Sequence, residues 1–171
     1  MIRRVVRPER IKRFAAVFVG DPGIAKRTLY ESAERASHFS GESCVISGFD
    51  ILLELDVLLF GAPWDKERPR NISVLQPDGP LNFRSPVARH LYLISPEFCS
   101  RLAQLTDERM REIAADWYRL LYPSLTPGLL ERKQKRAPYN DKALRALTEL
   151  ARVALQRDLR LMAYVEHRRD R

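Results

Sequence analysis

The chain has little glycine, histidine and cysteine, and it lacks the short motifs that mark several classes of enzyme. Its seven glycines form neither the phosphate-binding loops G-x-x-x-x-G-K-S/T and G-x-G-x-x-G nor the nucleophile elbow G-x-S-x-G. His38, His90 and His167 lack the HxxxH and HExxH spacings of zinc sites. These absences argue against nucleotide-dependent, serine-hydrolase and zinc-dependent activities, and no cofactor is expected.

Long hydrophobic runs are also absent, and the two cysteines are isolated. No stretch of 18 uninterrupted apolar residues exists, and charges interrupt the first residues, where a signal peptide needs an apolar segment. We therefore expect a soluble cytoplasmic protein that does not associate with a membrane. Cys44 and Cys99 have apolar neighbours and no metal-ligand spacing, which favours reduced, buried thiols. The alternative, a reactive nucleophile, lacks a nearby base.

Basic residues outnumber acidic residues by 30 to 22, and the formal net charge is +8. The excess lies near the start of the chain, in one internal cluster and in a basic tail from about residue 167. These segments contain Arg3, Arg4, Arg7, Arg10, Lys12 and Arg13; Arg132, Lys133, Lys135 and Arg136; and Arg168, Arg169 and Arg171. These basic segments are suited to attracting phosphates or an acidic protein. The alternative is that they form a solvated surface that binds no ligand.

Length and periodicity predict one α+β domain spanning residues 1–171, with about five or six helices around a small mixed sheet. Helical spacing of apolar residues is found at about residues 8–19, 24–35, 50–61, 96–105, 107–121 and 141–155. Strands are predicted at residues 2–6, 72–75, 90–94 and 161–165. Ser95 and Thr106 are predicted helix caps, as is Asn140 or Asp141. Residues 63–86 are an irregular, proline-interrupted connection, and residues 123–138 are a long loop.

The predicted helix at residues 50–61 is too apolar to face water, yet it contains three carboxylates. At about 100° per residue, Asp50 and Glu54 lie about 40° apart, and Asp56 lies about 120° from Asp50. Asp50 and Glu54 are therefore spaced to bind one divalent metal or to act as an acid/base pair. The favoured alternative is that these acids cap backbone groups or pair with arginine, as buried charges must. Gly61 is the predicted end of the helix.

The YfbM-like family, a group of small bacterial proteins of undetermined function, has a helix-to-loop signature that resembles Asp50-Ile51-x4-Asp56-x-Leu58-x-Phe60-Gly61 in this chain. The predicted order of elements is similar too: an N-terminal helix from near residue 8, the apolar acidic helix, a proline-rich middle and a strand. These elements are followed by Arg101-Leu102-x2-Leu105, an acid-rich helix, Tyr122-Pro123, a last helix and a strand. Leu55 departs from the aromatic residue that the family usually has before the second acid. The resemblance implies the α+β fold and transfers no catalytic residue.

Residues outside the predicted core are the candidates for partner binding. Trp64 follows the apolar helix in a loop, where it is either an exposed contact or a lid over the core. The acids of residues 107–121 alternate with arginines, which is typical of a salt-bridged surface, the alternative being an acidic docking ridge. The candidate partner-binding residues are Trp64, Arg68, Arg70, Arg132, Lys133, Lys135, Arg136 and Tyr139.

The sequence favours a non-enzymatic bacterial protein that acts by binding another protein, and an immunity- or antitoxin-type role is one form of this hypothesis. Its positive charge would repel a cationic nuclease, so an acidic partner is favoured. Nucleic-acid binding through the basic segments is the alternative, although no reader motif is present. A carboxylate- or metal-dependent enzyme that uses Asp50 and Glu54 is a second alternative.

Overall fold

The computed structural model describes residues 11–31, 43–46, 49–61, 71–77, 87–136 and 139–169. These ranges contain six helices and five strands, which confirms the α+β class. The strands are β1 (Ile11–Gly20), β2 (Ser43–Ile46), β3 (Ile72–Pro77), β4 (Val87–Ile94) and β5 (Arg160–Arg169). The helices are α1 (Pro22–Glu31), α2 (Asp50–Phe60), α3 (Pro96–Ala103), α4 (Asp107–Leu121), α5 (Pro127–Arg136) and α6 (Tyr139–Gln156).

The strands form one sheet in the order β2-β1-β5-β4-β3. All four pairings among the described strands are antiparallel, so the prediction of a mixed sheet is wrong in this respect. Helices between consecutive strands are typical of parallel crossovers. Here four helices separate β4 from β5, and β5 nevertheless returns antiparallel to β4.

The sheet has two unlike faces. The first face includes Val17 and Ala163 and packs against α2, α3, α4 and α6 in the larger hydrophobic core. The second face includes Phe18 and Met162, which form a smaller cluster with Ala25 of α1. Because β1 and β5 are covered on both faces, their central residues are almost all buried.

The strand β1 replaces the helix predicted over residues 8–19, and that prediction is wrong wherever this segment is described. Ala15 and Val17 are buried on the first face, and Phe18 is buried on the second. Burial on both faces removes the polar alternation by which a strand is usually recognised, so the helical spacing was coincidental. The strand predicted at residues 2–6 lies outside the described residues.

Most of the remaining elements agree with the prediction. The helix α2 ends at Gly61, which has a φ of 64° and donates its N–H to the Val57 carbonyl. The Ser95 and Thr106 side chains accept hydrogen bonds from backbone N–H groups of α3 and α4, which confirms both caps. The strands β3, β4 and β5 extend the predicted strands, whereas β2 was missed because it is only four residues long.

Two helices begin at residues other than those predicted, and a third helix was not predicted at all. The helix α1 begins at Pro22, because Asp21 Oδ1 accepts a hydrogen bond from Ile24 N at 2.8 Å and Pro22 suits the first helical position. The predicted loop at residues 123–138 contains α5, whose leucine, glutamate, lysine and arginine residues are strong helix formers. The helix α6 begins at Tyr139, so Asn140 and Asp141 lie in its first turn.

Candidate functional site

The Glu54 carboxylate of α2 is buried in the main core. Its Oε2 accepts a hydrogen bond from Trp117 Nε1 of α4 at 2.5 Å. Asp50, its predicted partner for metal or acid/base chemistry, is exposed in the first turn of α2. There a carboxylate interacts favourably with the helix dipole. One carboxylate is therefore in the core and the other in solvent, and the structure does not bring them into a shared site.

Asp56 is buried as well, and it holds the start of β3 against the start of α3. Asn71 Nδ2 donates to Asp56 Oδ1 at 2.6 Å, and Ser95 Oγ donates to Asn71 Oδ1 at 3.0 Å. The Ser95 hydroxyl in turn accepts from Phe98 N. The two buried acids of α2 therefore have hydrogen-bond partners, but those shown are the Trp117 indole and the Asn71 amide and not the backbone groups or arginines that were predicted.

No group of three histidine, cysteine, aspartate or glutamate side chains within the described ranges is close enough to hold a metal ion. His90 and His167, which the sequence left scattered, lie on neighbouring strands with ring centroids 6.2 Å apart in an edge-to-face arrangement. Sequence spacing did not reveal this pair because the β4–β5 register brings the two residues together. Two imidazoles alone do not make a zinc site.

We predict that both cysteines react slowly with thiol reagents. Burial raises the pKa of Cys44 to about 11 and also raises the pKa of Cys99, so the thiolate fraction is small at neutral pH. Ellman's reagent at about pH 8 is expected to label the folded chain about a hundredfold more slowly than the urea-unfolded chain. Equal rates in the two states would contradict the buried-thiol interpretation.

The candidate partner-binding residues fall into two groups. Trp64, Arg68 and Arg70 lie outside the described residues. The second group is the basic cluster, which lies on α5 and not on a loop, and it consists of Arg132, Lys133, Lys135 and Arg136. Tyr139, the last candidate, is the first residue of α6.

The charges of α5 differ from those of its neighbours. The helix contains four cations and one acid, Glu131, and Arg132 is exposed without an ion pair to any residue that the structure describes. Arginines of α3, α4 and α6, by contrast, lie within ion-pair distance of carboxylates. These pairs are Arg101–Glu97, Arg109–Glu112, Arg119–Asp116, Arg145–Asp107 and Arg152–Glu149, at 2.5–3.3 Å. The pairs on α4 support the salt-bridged surface predicted there.

The register of β1 and β5 brings two distant basic segments together. Lys12 pairs with Arg168, and Arg13 pairs with His167, at the same end of the two central strands. Directly paired residues lie on the same face, so Lys12 and Arg168 share the second face with Phe14 and Glu166. Arg89 of β4 pairs with Glu166 and joins them. We call these five residues the second-face patch.

Glu166 organises the second-face patch. Its carboxylate lies 3.4 Å from Arg89 Nε and 3.1 Å from Arg168 Nη2, and it accepts a hydrogen bond from the Tyr164 hydroxyl at 2.7 Å. The Tyr164 ring is buried beside Phe14, with ring centroids 6.3 Å apart. None of these contacts was predicted, because each depends on strand register and not on sequence spacing.

We predict that Tyr164 makes the protein sensitive to alkali. Burial, together with the hydrogen bond to Glu166, holds the Tyr164 pKa well above its usual value of 10.0. Above pH 10 the unfolded chain loses this proton while the folded chain keeps it, so stability falls as pH rises. Tyr164→Phe should flatten the fall by up to about 1.4 kcal/mol per pH unit in urea unfolding between about pH 10 and 11. Parallel profiles for the two proteins would contradict this assignment.

The chain was compared with known proteins, and no protein-family model, curated protein or solved structure matches it. None of the helices in the described ranges combines the length and apolar composition needed to cross a lipid bilayer.

Proposed function

We propose that this protein is a non-enzymatic, cytoplasmic binding protein whose partner is an acidic protein, and that α5 is the contact helix. The observation that carries the proposal is the composition of α5, whose ten residues include four cations and one acid. An immunity- or antitoxin-type role is one form of this function, in which the domain covers the active surface of a toxin.

The arrangement of residues along α5 supports a specific contact. At about 100° per residue, its four cations fall within an arc of about 160° that also contains Leu129 and excludes Glu131. Leu129 is 50% exposed. Protein interfaces combine an apolar centre with a polar rim, so one exposed leucine among cations suits an acidic protein surface with an apolar pocket.

The neighbouring helix α4 contributes a second exposed apolar side chain. Leu121, near its C-terminal end, is 39% exposed, and α5 contacts α4. Phosphate binding would use the cations but would leave both leucines in water, which favours a protein over a nucleic acid for this surface.

The resemblance to the YfbM-like family stays a prediction, and it carries no function. The N-terminal helix that it leads one to expect is the strand β1 from Ile11 onward, and α5 is a helix that its order of elements does not include.

The test compares two charge-reversed variants in the native host. One carries Arg132→Glu and Lys135→Glu on α5, and the control carries Arg109→Glu and Arg119→Glu on α4, which changes the net charge equally. Surface ion pairs contribute only about 0–1 kcal/mol each, so both variants should fold. Affinity purification after nuclease treatment is expected to recover an acidic protein with the wild type and the α4 variant but not with the α5 variant.

Once that partner is purified, Leu129→Ser is expected to weaken its binding about tenfold, as measured by titration calorimetry. A partner that the α5 variant retains, or that nuclease treatment releases, would contradict the proposal.

A further inference from the structure

The second-face patch lies outside the smaller hydrophobic cluster of the second face. That cluster contains Ala25 of α1 with Phe18, Leu91, Met162 and Tyr164, and it includes none of the five residues of the patch. At the patch, the Phe14 side chain is 42% exposed and the Arg168 side chain is 54% exposed. A partly exposed aromatic ring thus lies on the same face as Arg89 of β4 and Arg168 of β5.

We propose that this surface binds single-stranded nucleic acid, with a base stacked on Phe14 and the phosphate backbone running along the cations of the second-face patch. The surface is separate from α5, and the inference does not depend on the proposed protein partner.

The charges of the patch are complementary to phosphate. Arg89 and Arg168 share one carboxylate, Glu166, so these three side chains carry a net formal charge of +1. The strand register adds Lys12 to the patch, at the position of β1 directly paired with Arg168 of β5.

The shape and the aromatic ring favour a single strand. A sheet offers a broad surface on which unstacked bases can lie, whereas a DNA duplex is read by elements that enter its grooves. The partly exposed Phe14 ring is available for a base to stack on, and it packs beside the buried Tyr164 ring at an interplanar angle of 58°. An acidic peptide would satisfy the cations but has no planar base for the ring, so it is the less favoured occupant.

Fluorescence anisotropy with labelled oligouridine and oligothymidine of about 12 nucleotides tests this inference. The full chain is expected to bind at about 50 mM salt and to lose affinity on increasing salt, with a log–log slope of about −2. Arg168→Gln should reduce that slope by about 0.7, whereas Arg109→Gln on α4 and Arg132→Gln on α5 should not. Comparison of the two oligomers shows whether RNA or DNA binds more tightly, and either result supports the inference.

Stacking is tested separately with variants at Phe14. Phe14→Leu should weaken binding about tenfold, while Phe14→Tyr, which keeps a ring, and Val74→Ala, a control on β3, should bind as the wild type does. An abasic oligomer of equal length should bind more weakly than the base-bearing one and should be insensitive to Phe14→Leu.

Three results would overturn the inference: equal affinity for abasic and base-bearing oligomers, a preference for duplex, or a loss of binding in Arg132→Gln but not in Arg168→Gln. Tighter binding of an acidic peptide that also depends on Phe14 would assign the surface to a protein instead.

Discussion

Replacing Trp117 with phenylalanine is expected to lower the free energy of unfolding by about 3 kcal/mol. Trp117 is fully buried, and its indole N–H donates to the buried Glu54 carboxylate. The change removes a charge-assisted hydrogen bond and leaves space beside the smaller ring, and both effects destabilise the folded state. Urea unfolding followed by circular dichroism measures the change.

Asp50→Asn is the matched control, because Asp50 is an exposed carboxylate on the same helix. It should change stability by no more than about 0.5 kcal/mol. If Glu54 has a structural role, neither Mg²⁺ nor Mn²⁺ should alter the unfolding of the wild type or of Asp50→Asn. Stabilisation of the wild type by either metal, lost in Asp50→Asn, would support the carboxylate-enzyme alternative instead.

Replacing Asn71 with alanine is expected to cost about 2–3 kcal/mol. The amide of Asn71 donates to the buried Asp56 carboxylate and accepts from the Ser95 hydroxyl, so alanine removes both contacts at once. A double-mutant cycle with Asp56→Ala isolates the pair, because the double variant no longer contains the buried charge. The double variant should therefore be more stable than the two single costs predict. Strictly additive costs would contradict the coupling, and Ser73→Ala, on the exposed part of β3, is the neutral control.

Local chemistry explains which parts of the fold could be predicted from the sequence. The burial of α2, its end at Gly61 and the caps at Ser95 and Thr106 each depend on a few consecutive residues. The partners of the α2 carboxylates could not be predicted, because Trp117 is 63 residues from Glu54. The sequence therefore indicated that the acids need partners but not which residues supply them.

The segments that form β1 and α5 were assigned wrongly for different physical reasons. In β1, burial on both faces obscured the period of a strand, whereas in α5 prolines and dense charge concealed a set of good helix formers. The assignment of α5 bears on function, because a helix holds its cations in a fixed arc that a loop would not maintain.

The candidate binding surfaces could also be predicted only in part from the sequence. The sequence singled out the basic segments near the start and the end of the chain, but only strand register places Lys12 opposite Arg168. The sequence placed Phe14 on the buried face of the predicted N-terminal helix, and Glu166 belongs to no motif, so neither was predicted to lie at a binding surface. Their arrangement on one face of an antiparallel sheet makes the second-face patch a distinct candidate surface beside α5.

The position of β5 between β1 and β4 also governs how the chain can fold. In the described sheet, β5 links the β2–β1 pair to the β4–β3 pair, and it is the last of the five strands in the chain. During synthesis the β2–β1 pair and the β4–β3 pair therefore cannot be joined into one sheet until β5 has been made. Until then the apolar faces of the two pairs are not part of a common core. Pairings between such distant segments raise the contact order and slow folding. Folding of this protein should consequently be limited by a late, long-range closure step and not by the formation of its helices.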